Sequence, residues 1–201
     1  MAPPARELVL ASGNQGKLRE LGAMLDPHGW TVIPQSRWKI SEADENGLSF
    51  IENALIKARH ASSHTGLPAL GDDSGLVVDA LNGAPGIFSA RYAGHDANDQ
   101  ANIDKLLTAL GAMPEADRTA HFYCAMALVR HADDPAPLLA TGRWDGQILE
   151  TPAGTGGFGY DPVFWVPTEQ CSAAELPPGV KNRLSHRGLA LTALLEQMTA
   201  F

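Results

Sequence analysis

The chain is poor in cysteine, positive charge and long apolar runs, and each shortage excludes a class of protein. Cys124 and Cys171 are its only cysteines, too far apart for metal-ligand spacing, which excludes a disulfide framework or a zinc ribbon and leaves two free thiols. Fifteen Lys and Arg against 23 Asp and Glu give a net charge of −8, so there is no extended basic surface for a nucleic acid backbone. A local pocket for a small anion is still allowed, because Lys17, Lys57, Arg91, Lys181, Arg183 and Arg187 lie beside Gly, Ser or aromatic residues. Apolar stretches are broken by Gly, Pro or charge and none approaches the roughly 20 residues of a membrane span. The N-terminus, Met1 to Glu7, lacks the basic region and apolar stretch of a signal peptide, so a cytoplasmic protein with no membrane partner is expected. What is present suffices for a sizeable core: 201 residues, 44% hydrophobic and 19% charged, read as one globular domain over 1–201 with room for two lobes.

Periodicity predicts a strand over Glu7–Ala11, a loop over Ser12–Gly16 and a helix from Lys17 to Leu25 with Leu18, Leu21 and Leu25 on one face. Thr31–Ile33 is a second strand, and Ser49-x-x-Glu52 is the capping box of a long helix ending near Gly66. Leu67–Gly71 and Leu76–Val78 read as buried strands that place Asp72-Asp73 at a strand end or tight turn. Helices follow over Asp99–Leu110 and Ser185–Met198, strands over Ala120–Arg130 and Leu138–Trp144, and loops at 133–137 and 177–178. This mixture is that of an α/β domain.

Asp72-Asp73-Ser74-Gly75 carries the most chemical information. Adjacent carboxylates near a core repel and raise each other's proton affinity unless a cation neutralises them, which points to a divalent metal; a solvated turn is the ordinary alternative. Ser12-Gly13-Asn14-Gln15-Gly16-Lys17 follows a strand and opens a helix, a place where amides can hold phosphate, yet its glycine spacing is too short for a Walker A loop and Leu18 stands where Ser or Thr would meet magnesium. Gly154, Gly156 and Gly159 match a dinucleotide fingerprint only by spacing, since no strand-to-helix unit surrounds them; they form instead a loop carrying Phe158 and Tyr160 either towards a planar ligand or into the core. His60 and His64 have zinc-pair spacing without the intervening Glu and read as helix-end residues. Ser185-His186-Arg187, with Lys181 and Arg183 upstream, gathers donors at a helix start. Together these are the parts of a magnesium nucleotide site.

Taken in order, Ser12-Gly13-Asn14-x-Gly16-Lys17, Phe50-x-Glu52-Asn53-Ala54-x-x-Lys57-Ala58, Asp72-Asp73-Ser74-Gly75-Leu76, Gly83-Ala84-Pro85-Gly86, Ser89-Ala90-Arg91, Gly157-Phe158-Gly159-Tyr160-Asp161-Pro162 and Ser185-His186-Arg187 closely resemble the inosine/xanthosine triphosphate pyrophosphatase family from about residue 7 to about 195. Ser12, Gly71 and Phe88 depart from the commoner Thr, Ala and Tyr without removing a required group. The resemblance implies an elongated, two-lobed α/β fold whose long mixed sheet floors a nucleotide cleft, a homodimer, and hydrolysis of ITP, dITP and XTP to monophosphate and pyrophosphate. It also implies roles: Ser12, Gly13, Asn14, Gln15, Gly16, Lys17, Lys57 and Lys181 on the triphosphate, Ser74 on the substrate, and Phe158, Gly159, Tyr160, Asp161, His186 and Arg187 around the base. Asp73 would be general base and a Mg2+ ligand, with Asp44 as second metal carboxylate and Glu45 its competitor. The rival readings are a nucleotide sensor that does not hydrolyse, and a pyrophosphatase of different base preference.

Overall fold

A computed structural model of the chain describes residues 6–113 and 117–198. Arg6–Leu10 forms β1, with Leu8, Val9 and Leu10 buried, and Gln15–Leu25 forms α1, capped by the Asn14 side chain, which accepts the Lys17 amide at 3.1 Å. Trp30–Pro34 is β2, parallel to β1 with Leu8 opposite Val32, so α1 serves as the crossover that a parallel pair requires. Helix α2, Phe50–Thr65, starts at Ser49 and stops at Gly66, whose φ of 68° suits a residue without a Cβ. The remaining elements are α3 (Asp99–Gly111), β4 (Thr119–Val129), β5 (Leu138–Ile148), β6 (Phe164–Val166), β7 (Cys171–Ser172), α4 (Pro178–Leu184) and α5 (His186–Gln197). Pro178, expected in a loop, occupies the first turn of α4, where its missing N–H leaves no bond unmade.

One expectation is overturned. Ala69–Val78 is a single ten-residue strand, β3, and Asp72-Asp73 lies in its middle rather than at a turn. The glycines that read as punctuation permit close approach instead. A Cβ on Gly71 would stand 2.0 Å from the Ala54 carbonyl oxygen, and one on Gly75 would stand 2.4 Å from Ser89 Oγ.

Seven strands make one mixed sheet in the order β2-β1-β3-β4-β5-β6-β7, with β1 parallel to β2 and β3, and β6 antiparallel to β5 and β7. The α/β class is as expected. The chain divides into two compact units. One holds the described residues 6–73, 124–141 and 190–198, and the other holds 74–113, 117–123 and 142–189, so a boundary falls between Asp73 and Ser74. In the first, Leu8, Leu10, Leu21, Leu25, Leu70, Met126, Leu128, Leu191 and Leu194 make the core. In the second, Leu76, Val78, Leu106, Leu110, Phe122, Trp144 and Phe164 do. Each fully buried leucine contributes roughly 1.5–3 kcal/mol, which is what holds α1 and α5 in the first unit and α3 in the second. Among the described residues no helix is long and apolar enough to cross a membrane.

Candidate active site

The site in the first unit begins with small residues. Ala54, Ala58 and Ala61 form the buried stripe of α2, and Gly71 lets that stripe approach the β3 backbone at contact distance. Asn53 and Lys57, four apart on the same helix face, are thereby brought to Asp73. Lys57 Nζ donates to Asp73 Oδ1 at 2.7 Å and to Glu45 Oε1 at 3.2 Å, and Asn53 Nδ2 donates to Asp73 Oδ2 at 3.3 Å. Burial pushes the Asp73 carboxyl above its ordinary value, against the attraction of Lys57 and Lys17. Burial pulls the Lys57 ammonium down, but the Asp73 and Glu45 carboxylates outweigh it and leave the group raised. Asp44 is exposed; it is Glu45 that shares a cation with Asp73.

Asp72 and Asp73 do not form a joint chelate, because neighbours on a strand point to opposite faces. Asp72 shares its face with Leu70, pairs with Lys17 and accepts the Cys124 thiol at Oδ2, 3.0 Å away. Each carboxylate therefore has its own lysine, Lys17 from α1 and Lys57 from α2. Both cysteines are free thiols, as expected.

Around the expected phosphate loop, Ser12 Oγ accepts the Asn14 amide at 3.1 Å, and Gly13, Asn14 and Gln15 are exposed. A Cβ on Gly13 would stand 2.8 Å from Glu42 Oε1, so a side chain there would make the exposed Glu42 carboxylate shift. His60, half-buried, and His64, exposed, lie in the C-terminal part of α2 and spend Nε2 on the Ser41 carbonyl and Nδ1 on the His60 carbonyl respectively, the arrangement of helix-end residues.

In the second unit the glycine loop is tied down by Asp161. Its Oδ2 accepts the Phe158 amide at 2.8 Å and the Lys181 ammonium at 2.6 Å, and Gly157, at φ 73°, leaves the space that this carboxylate fills. Lys181 lies 5.0 Å from the centroid of the Phe158 ring and the Arg187 guanidinium 5.5 Å from it. Arg187 also donates to Ser74 Oγ at 3.1 Å. His186 is buried in a ring stack, 4.7 Å from Phe122 at an interplanar angle of 14° and 6.4 Å from Trp144 at 18°. Burial raises the Tyr160 phenol, whose hydroxyl donates to the Ser89 carbonyl at 2.9 Å; this aromatic of the loop faces the core. Thus Ser74, Phe158, Asp161, Lys181 and Arg187 meet in one constellation, with Gly159 between Phe158 and Tyr160, while Lys17, Lys57 and Asp73 belong to the first unit.

The chain as a whole has counterparts among known proteins. The model of the Ham1 family matches residues 8–197. The chain belongs to the Ham1 family. A protein of Vibrio parahaemolyticus named dITP/XTP pyrophosphatase is 55% identical over 97% of this chain and 98% of its own, and one of Idiomarina loihiensis with the same name is 57% identical over 95% and 96%. Among solved structures, a HAM1 protein from Coxiella burnetii superposes with a TM-score of 0.90 at 50% identity, covering 98% of this Ham1 chain and all of the other. The Staphylococcus aureus Ham1 protein superposes with a TM-score of 0.85 at 38% identity, covering 97% and 99%. The resemblance read from the motifs is borne out over nearly the whole chain.

Sequence reasoning underweighted three groups. Glu45 appeared only as a competitor, Asn53 only inside a motif, and Cys124 only as a free thiol. Asn53 could have been found from its spacing, four residues before Lys57 on a helix of small residues.

Proposed function

We propose that this Ham1 protein hydrolyses non-standard purine nucleoside triphosphates, dITP, ITP and XTP, to the monophosphate and pyrophosphate, and so removes deaminated purines from the nucleotide pool. The names of its relatives support the substrate class. The observation that carries the chemistry is Asp73, buried yet held as a carboxylate between Lys57 and Asn53 with Glu45 beside them. Burial raises this carboxyl above its ordinary value, which makes it a stronger base than an exposed aspartate. Asp73 accepts the proton of the water that attacks phosphorus, and the anhydride to the leaving pyrophosphate breaks.

The reaction uses a divalent ion, Mg2+ in our reading, and the residues fit it. Asp73 and Glu45 already direct hard oxygens at a single cation, the Lys57 ammonium. Among the described residues no group of three His, Cys, Asp or Glu could hold a metal, so the protein would supply two carboxylates and leave the other positions to phosphate oxygens and water. Asp73 and Glu45, with Asp44 next in line, would hold the ion; bound, it would neutralise charge on the phosphates. Ser12 to Lys17, Lys57 and Lys181 bind the triphosphate, and lysines there matter because a triphosphate of roughly four negative charges meets an acidic protein. Ser74, Phe158, Gly159, Asp161, His186 and Arg187 frame the base, with Tyr160 anchoring their loop in the core, and donors to a 6-oxo group favour hypoxanthine and xanthine over adenine, whose 6-amino group is itself a donor. The two units act as one pyrophosphatase domain over 1–201, in a cytoplasmic homodimer.

The test is magnesium-dependent pyrophosphate release from a panel of inosine, xanthosine, adenosine, guanosine and pyrimidine triphosphates, with Asp73→Asn alongside. Release confined to inosine and xanthosine nucleotides, lost in a folded Asp73→Asn protein, is expected. Binding without release would mean a sensor, and normal turnover by Asp73→Asn would remove Asp73 as the base.

A further inference from the structure

Asn53, fully buried in the first turn of α2, makes two bonds with one amide. Its Oδ1 accepts the Gly47 N–H at 2.9 Å, and its Nδ2 donates to Asp73 Oδ2 at 3.3 Å. The orientation of that amide is forced. A backbone N–H can only donate, so Oδ1 must face Gly47 and the NH2 must face the carboxylate. The neighbouring residue repeats half of the pattern, since Glu52 Oε2 accepts the Leu48 N–H at 2.9 Å. Two successive loop amides are thus fastened to two successive residues of α2. Gly47 lies against the helix, where a Cβ would stand 2.7 Å from both Asn53 Oδ1 and Glu52 Cβ. Two residues before Gly47 comes Glu45, the carboxylate that shares Lys57 with Asp73.

We propose that Asn53 is a positioning residue for hydrolysis: it fixes the rotation of the Asp73 carboxylate and ties to it the loop that presents Glu45. The inference rests on the reading of Asp73 as the base. Lys57 holds Oδ1 and Asn53 holds Oδ2, so the carboxylate plane is restrained at both ends, and rotation about its terminal bond would break a hydrogen bond to a charged acceptor. The same Asn53 side chain sets how far the Glu45 loop can drift from β3.

The two halves of the device separate by substitution. Asn53→Asp keeps an oxygen for the Gly47 N–H and loses the donor to Asp73; Asn53→Ala loses both. Turnover on dITP and amide hydrogen exchange at Gly47 and Leu48 are measured for wild type, both variants and Asp73→Asn. In wild type the Gly47 amide should be protected like the amides of α2. Asn53→Asp should retain that protection yet lower kcat about ten- to hundredfold with KM within about twofold, and Asn53→Ala should lower kcat similarly and release the Gly47 amide. Wild-type kcat per folded molecule in Asn53→Asp, with Asp73→Asn inactive, would overturn this inference alone. Normal turnover by Asp73→Asn would overturn the reading of the base and this inference with it. Should Asn53→Ala fail to fold, Asn53→Asp, of nearly equal volume, still decides. Fast exchange at Gly47 in the wild-type protein would refute the fastening without any variant.

Discussion

Replacing Lys57 by methionine keeps most of the side-chain volume and removes one charge from between two carboxylates. Lys57 bonds Asp73 at 2.7 Å and Glu45 at 3.2 Å, and its side chain is 12% exposed against 8% for Asp73. An exposed pair would contribute about 0–1 kcal/mol, and breaking a fully buried one costs about 3–5 kcal/mol. Near burial with a charge-assisted bond puts Lys57→Met between them, at a loss of about 2–3 kcal/mol near pH 8. For a chain of this size that lowers Tm by about 4–12 °C. The sign of the pH dependence follows from Asp73. Burial has already raised its folded-state pKa, and removing Lys57, the largest opposing influence, raises it further. Above that pKa the variant must keep an ionised carboxylate without its partner; below it Asp73 is protonated and the cost disappears. The deficit relative to wild type should therefore shrink on going from pH 8 towards pH 4.5, read by urea unfolding of both proteins at each pH. Asp73→Asn placed in the Lys57→Met background should recover at least about 1 kcal/mol at pH 8 as a double-mutant coupling. A deficit that is the same at both pH values, or strictly additive losses, would refute the argument that Lys57 acts by compensating Asp73.

Glu45→Gln should raise the magnesium concentration for half-maximal turnover about tenfold, and Asp44→Asn by less than about twofold; the reverse order, in a magnesium titration, would move the second carboxylate to Asp44. Side-chain bonds from Arg130, then its backbone amide and that of Ala136, hold the Asp134 carboxyl well below the usual range. Its contribution to stability is complete above about pH 4 and is lost as the pH falls through its folded-state value, so the deficit of Asp134→Asn by thermal melts should close on acidification, and a constant deficit would show that the pair is not what titrates. His186→Ala should lower kcat/KM for ITP several-fold more than for ATP, at some cost in stability from the ring stack with Phe122 and Trp144, whereas Phe158→Ala should weaken all purines alike. Equal losses for ITP and ATP in His186→Ala would confine that residue to the fold.

The helices and their ends were legible because their signals are local: Ser49 and Glu52 mark a start and Gly66 a stop whatever lies around them. Strand β3 was misread because a glycine carries the same letter for two different reasons. Beside Asp72-Asp73, Gly71 and Gly75 look like turn residues, yet each is small because something non-local passes within bonding distance, the α2 backbone at Gly71 and Ser89 at Gly75. The motifs themselves were legible through their order along the chain. Pairing within the site was not. That Lys17 belongs to Asp72 and Lys57 to Asp73 depends on which face of β3 each helix covers, a property of the assembled sheet, and so does the preference for Glu45 over Asp44.

The alternation of β3 also sets the two carboxylates in different surroundings. Two adjacent acids were read from sequence as a shared metal site, on the argument that like charges need a common cation. On a strand they point apart, and the structure gives each its own. Asp72 is wholly buried, with Lys17 at one oxygen and the Cys124 thiol at the other. With both oxygens engaged and no exposure to solvent, this carboxylate serves to orient Lys17, the lysine at the start of α1. Asp73 differs in kind. It lies on the opposite face between two glycines, is buried but not wholly so, and is raised by that burial against the pull of Lys57 and Lys17. In the reaction proposed above, the same two residues, identical in chemistry and adjacent in sequence, would divide into a support for Lys17 and a base, because the two-residue period of the strand that carries them sends them to opposite faces.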